Sequence, residues 1–133
     1  MKRFISCLLT FILAFSLIAC GKNSTDSDYK IYYLKSDKAG IVSSEYSFKA
    51  TSTEEMVSEA IEQMTKSPEK NIDYINSIPS GIDVKGWQIN DGGLTLYLIG
   101  DYEALDSYTE ILVRAAIVKT LVQIDGVDSV DIF

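Results

Sequence analysis

Histidine is absent from the 133 residues, and cysteine occurs only as Cys7 and Cys20. The first absence removes imidazole general bases, Ser-His-Asp and Cys-His nucleophilic sites, and most zinc sites. Positive charge is also scarce: 12 lysines and arginines stand against 19 aspartates and glutamates, a formal net charge of -7. No basic face is left to pair phosphates, which argues against nucleic acid as a partner. Acidity of this kind favours solubility and names no partner by itself. Apolar residues are plentiful, at 47% of the chain, enough for the core of one small domain.

The start of the chain carries an export pattern. Lys2 and Arg3 precede an apolar run over residues 4–19, which ends in Leu17-Ile18-Ala19-Cys20. A positive start, an apolar centre and a small residue before the break mark a secretory signal. The run falls short of the roughly 20 apolar residues that a membrane span needs. The quartet resembles the lipobox of bacterial lipoproteins. That resemblance implies a diacylglyceryl thioether on Cys20 and cleavage before it. Two other readings remain: an uncleaved anchor, or an ordinary signal with an incidental cysteine. On the lipoprotein reading, residues 1–19 are a signal peptide, residues 20–28 are the lipidated cysteine and a small polar tether, and residues 29–133 form the domain. Cys7 is then discarded with Lys2 and Arg3. The mature chain has no free thiol and no disulfide, so packing alone must hold it together.

Residues 29–35 alternate aromatic and branched side chains and are predicted to form a strand. Residues 36–44 read as a loop, and residues 45–50 as a short edge strand. Ser52 with Glu55 fits a capping box. Met56, Val57, Ala60, Ile61 and Met64 then line one face of a helix that Ser67-Pro68 ends. A connector carries the apolar cluster Ile72, Tyr74, Ile75 and Ile78. Residues 82–89 form a strand whose alternation slips at Gly86; a bulge there lets Trp87 and Ile89 share a face. Asn90-Asp91-Gly92-Gly93 signals a tight hairpin into a partner strand over residues 94–99.

The last third is a helix from a cap at Asp106 or Ser107 to the stop at Asp125-Gly126, followed by a short strand. The helix has two apolar stripes. Tyr108, Ile111, Ala115, Val118 and Val122 are expected to face the sheet. Val113, Ile117 and Leu121, with Ile124, are expected either to pack on the first helix through Ile61 and Met64 or to form an exposed interaction patch. The element order is a split β-α-β-β-α-β pattern. It predicts an α+β two-layer sandwich with both helices on one face of a small sheet.

Candidate chemistry is sparse. Asp125, Asp128 and Asp131 are spaced as solvated turn and strand residues and match no calcium loop. Asp101, Glu103 and Asp106 complement the dipole of the helix that follows. No catalytic, cofactor or metal residue is assigned. The tyrosines, and Trp87 with Tyr97 above all, are candidates for an aromatic contact platform.

Three segments together carry a family resemblance. Ile31-Tyr32-Tyr33-Leu34, Ile78-Pro79-Ser80-Gly81 and the closing Thr120-Leu121-Val122-Gln123-Ile124-Asp125-Gly126-Val127-Asp128-Ser129-Val130-Asp131-Ile132 resemble, in order and spacing, the GerMN domain of sporulation and spore-germination lipoproteins. The resemblance implies a fold similar to the ring-building domains of the channel between mother cell and forespore. It also implies a non-enzymatic module on the extracytoplasmic face of the membrane, assembling with envelope proteins. Self-assembly is left open. A binding module for a small ligand or a cell-wall glycan is the alternative. An enzyme using a carboxylate pair ranks third, since nothing fixes such a pair.

Overall fold

The computed structural model describes residues 28–66 and 73–133. The signal segment, Cys20, most of the tether, Ser67-Pro68 and Ile72 lie outside the described residues. Within them the order is β1 (Tyr29–Lys35), β2 (Ile41–Tyr46), α1 (Thr53–Met64), β3 (Tyr74–Ile75), β4 (Ile82–Asn90), β5 (Gly93–Gly100), a 3-10 turn (Asp101–Ala104), α2 (Ser107–Leu121) and β6 (Ser129–Ile132). The chain is α+β, with two helices packed on strands. The strands divide into two three-stranded sheets, ordered β2-β1-β3 and β4-β5-β6, where a single sheet was expected.

The additional strands come from pairing rather than from local preference. β2 begins at Ile41, inside the expected loop, and runs antiparallel to β1 from Leu34 opposite Ile41 to Tyr29 opposite Tyr46. Its serines are poor strand formers, and the partner overrides them. β3 is two residues long, held opposite Leu34 and Lys35.

Elsewhere local chemistry dictates the turns. Asp91 and Gly92 both have positive φ, 49° and 81°, which gives the two-residue turn that joins β4 to β5. The register slips between Val84 and Gly86, placing Trp87 opposite Leu96 and Ile89 opposite Leu94. β6 returns parallel to β5, and α2 is the crossover that parallel pairing requires. Ser52 caps α1 by accepting from the Glu55 N–H at 3.3 Å. The Asp106 carboxylate caps α2, accepting from the Thr109 N–H at 3.0 Å and its hydroxyl at 2.6 Å. After α2, Gly126 takes φ 91°. A Cβ there would lie 3.1 Å from Thr53 Oγ1, and the Thr53 hydroxyl donates to the Asp125 carbonyl at 2.7 Å. The helix-to-strand turn is thereby fastened to the start of α1.

One core serves both sheets. It joins Ile31 and Leu34 of β1, Val57, Ala60 and Met64 of α1, Leu94 and Leu96 of β5, Ile132 of β6 and the inner face of α2. On α2 the two stripes are reversed from expectation. Leu112, Val113, Ala116, Ile117, Thr120 and Leu121 are buried, with Ile117 at 0% exposure. Tyr108 and Ile111 are outside, Ile111 at 62% exposure. Val113, Ile117 and Leu121 therefore form no contact patch. The physical reason lies in the breadth of the two arcs. At 100° per residue Leu112 and Ala116 join Val113, Ile117 and Leu121 in one broad apolar arc, wider than the Ile111–Val118 stripe that Arg114 and Lys119 bound, and the broader arc is the one buried.

The end of α2 also completes β1. Lys30 and Tyr32 lie beyond the reach of the short β3, so their edge-facing backbone groups meet side chains instead. Gln123 accepts from the Lys30 N–H at 3.0 Å and donates to its carbonyl at 2.9 Å. Thr120 Oγ1 accepts from the Tyr32 N–H at 3.0 Å, and the Ser77 hydroxyl donates to the Tyr32 carbonyl. An open strand edge is a template for stray pairing. Here side chains from the end of α2, the turn after it and the connector stand where a neighbouring strand would.

Candidate interaction surfaces

Alternation along β5 sends Leu94 and Leu96 inward and Thr95, Tyr97 and Ile99 outward. Phe133, just beyond β6, continues the ladder: its N–H donates to the Leu96 carbonyl at 3.0 Å, and its carbonyl accepts from the Leu98 N–H at 2.7 Å. Its ring stacks on Tyr97 with centroids 6.1 Å apart and planes at 30°. Gln88 donates to the Tyr97 hydroxyl at 3.3 Å. Tyr97, Ile99 and Phe133 are exposed at 39%, 47% and 68%. Three large apolar side chains thus share the outer face of the second sheet, where a solvated strand would carry polar residues.

Trp87 does not join that face. It sits opposite the buried Leu96 and packs against the core, whereas Tyr97 lies opposite Gly86 on the other side of the sheet. The two rings meet only across a shallow notch of about 360 Å³ at the bulge, lined by Lys85, Gly86, Trp87 and Tyr97. Trp87 and Tyr97 thus share the notch, while the ring that stacks on Tyr97 is that of Phe133. Phe133 was missed because the parallel register of β6 beside β5 is a long-range fact. Its signal was an apolar alternation that continues through Val130 and Ile132.

The acidic groups have structural occupations. Glu59 accepts from the Tyr46 hydroxyl at 2.6 Å and from the Lys49 and Ala50 N–H groups at 3.1 Å. Burial pushes the Glu59 carboxyl upward, but these hydrogen bonds outweigh it and hold the group below the ordinary glutamate range. Burial, then the bond to Glu59, pushes the Tyr46 phenol well above its ordinary value. These residues wall a depression of about 550 Å³ along α1, together with Glu54, Glu55 and Glu62. Asp106 is held low by the two Thr109 bonds. Glu110 pairs with Arg114 at 3.0 Å and accepts from the Tyr102 hydroxyl at 3.3 Å. Among the described residues, no three cysteine, aspartate or glutamate side chains gather as metal ligands.

The second apolar surface is the outward ribbon of α2, where Tyr108, Ile111 and Val122 are exposed; Ala115 and Val118 between them are half-buried, and Val118 packs against the core. Lys119 lies on one flank, 5.3 Å over the Tyr32 ring. Arg114 lies on the other, 5.6 Å over the Tyr102 ring.

The fold and these surfaces define a small α+β module that presents apolar contact surface at two places. The model of the Germane family, described as sporulation and spore germination, matches residues 30–133. The chain belongs to this family, the GerMN domain. Comparison with curated proteins and comparison with solved structures returned no match. Within the matched residues, Thr120 in the last turn of α2 and Gln123 just past its end are side chains that complete the edge of β1.

Proposed function

We propose that the chain is a non-catalytic lipoprotein, anchored through Cys20 on the extracytoplasmic face of the cell membrane, whose GerMN domain docks onto envelope proteins of a sporulation or germination assembly. The observation that carries this reading is the Tyr97–Ile99–Phe133 patch on the open face of the second sheet. An apolar patch on a flat face fits protein contact, whereas small ligands are held in concave sites. Leu17-Ile18-Ala19-Cys20 supports the anchor. The commitment of Glu59, Asp106 and Glu110 to structural hydrogen bonds supports a role without catalysis.

A tethered domain needs only a weak patch, because confinement at a surface raises effective concentration. The test is photo-crosslinking in intact cells from position 97, with a benzophenone side chain replacing Tyr97. An envelope protein should be captured, and Ile99→Asp should abolish capture without loss of the protein. Capture of nothing, or capture insensitive to Ile99→Asp, rejects the patch as the docking face. The alternative, a small ligand or wall glycan, rests on the notch between Trp87 and Tyr97. It requires Trp87 fluorescence to respond to soluble wall fragments.

A further inference from the structure

The outward ribbon of α2 is a second apolar surface, and its position relative to the tether decides its occupant. α2 runs alongside β1 in the opposite direction. Gln123, just past its end, holds Lys30 at the start of β1; Asp106, at its other end, lies 3.6 Å from Lys38 beyond the end of β1. The tether joins the domain at Tyr29, and therefore beside the C-terminal end of α2, where Val122 is exposed. Residues 21–28 span at most about 28 Å, at about 3.5 Å per residue. α2 itself is about 22 Å long at 1.5 Å per residue. A domain held by such a tether is never more than about its own width from the lipid headgroups, and the helix ribbon begins at the point of attachment.

Charge points the same way. In a chain of net charge -7, this ribbon is flanked on one side by the cation Lys119 and on the other by Arg114. The one acid of α2, Glu110, is paired to Arg114. An apolar stripe with a lysine on one flank and no unpaired acid on α2 suits the anionic interface of a bilayer, where aliphatic side chains enter the acyl boundary, tyrosine sits at headgroup level and a cation meets phosphate.

We infer that the outward face of α2 lies on the anionic lipid surface to which the chain is tethered. The domain is thereby laid down on the membrane, with the Tyr97–Ile99–Phe133 face left for protein contact. The inference rests on the Cys20 anchor proposed above. Intramolecular contact of this kind needs little intrinsic affinity.

The test uses the full chain, purified from cells after processing and reconstituted in phosphatidylcholine vesicles containing phosphatidylglycerol. Ile111→Cys supplies the only free thiol when Cys20 is acylated, and carries a polarity-sensitive fluorophore. Val122→Cys serves as a second position, and Glu62→Cys on α1 as the control. Lipids brominated near the headgroup should cut emission at positions 111 and 122 by about half and leave position 62 unchanged. Lys119→Glu should relieve the quenching. Intact mass separates the two readings. A chain without acyl groups removes the anchor, and this inference with it. A correctly acylated chain whose label at 111 is quenched no more than that at 62 overturns the lipid-facing α2 alone, and leaves the ribbon to a protein partner.

Discussion

Replacing Thr120 by valine tests how α2 and β1 are joined. Threonine and valine have nearly the same shape, so the buried Thr120 site, at 1% exposure, stays filled. Only the hydroxyl goes, and with it the 3.0 Å acceptor of the Tyr32 N–H. An unsatisfied, partly buried donor costs about 1–3 kcal/mol. Relief from burying the hydroxyl offsets some of this, so the expected loss is about 1–2 kcal/mol. Against a total stability of about 5–15 kcal/mol for a domain of this size, that is a measurable fraction. It corresponds to a fall in Tm of roughly 4–16 °C. Thermal denaturation of a soluble form lacking residues 1–20 gives the total. Amide exchange gives the location: the Tyr32 amide should lose protection, while the Lys30 amide, held by Gln123, keeps it. Thr120→Ser should preserve Tyr32 protection although it too is destabilised, by loss of the methyl group. An unchanged Tm with Tyr32 still protected in Thr120→Val would refute the idea that helix side chains stand in for a strand.

The reversed faces of α2 give a contrast between neighbouring sites. Ile117→Lys places an unpaired charge at a position with 0% exposure and should prevent folding, whereas Ile111→Lys, at 62% exposure, should change stability by no more than about 0.5 kcal/mol; urea titration of the two variants decides it. The Tyr46–Glu59 pair gives a pH signature. The Glu59 value is lowered in the folded state, so its contribution is complete above 4.5 and disappears as pH falls through the folded value. Tyr46 is raised, so its contribution is complete below 10.0 and fades as pH rises beyond. The stability gap between wild type and Glu59→Gln should therefore be widest between those values and close on acidification; a gap independent of pH would contradict the assignment.

Wherever neighbouring residues decide a conformation, the sequence was readable. Ser52 with Glu55, Asp91-Gly92 and the slip at Gly86 appear where spacing and composition put them; α2 itself ends at Leu121, short of the expected Asp125-Gly126 stop, and Gly126 makes the later turn toward β6. What depended on distant partners was not. β3 exists only opposite Leu34 and Lys35, and β2 only opposite β1. The aromatic contact of Tyr97 could not be named without the parallel register that brings Phe133 beside it. The faces of α2 were misjudged for a different reason. A helix apolar on two sides has no single direction in its periodicity. The tie is broken by Leu112 and Ala116, which widen the buried arc beyond the Val113–Ile117–Leu121 stripe. Thr109 and Thr120, polar yet buried, added to the confusion because each satisfies a specific bond inside.

The anchor is the claim on which the proposed role depends most. Intact-mass and N-terminal peptide analysis of the protein extracted from membranes would test it directly. The expected result is a chain that begins at Cys20 and carries a thioether-linked diacylglycerol, with Cys20→Ser accumulating unprocessed. A chain that retains residues 1–19, or one that begins at an unmodified residue and fractionates with soluble proteins, would contradict it.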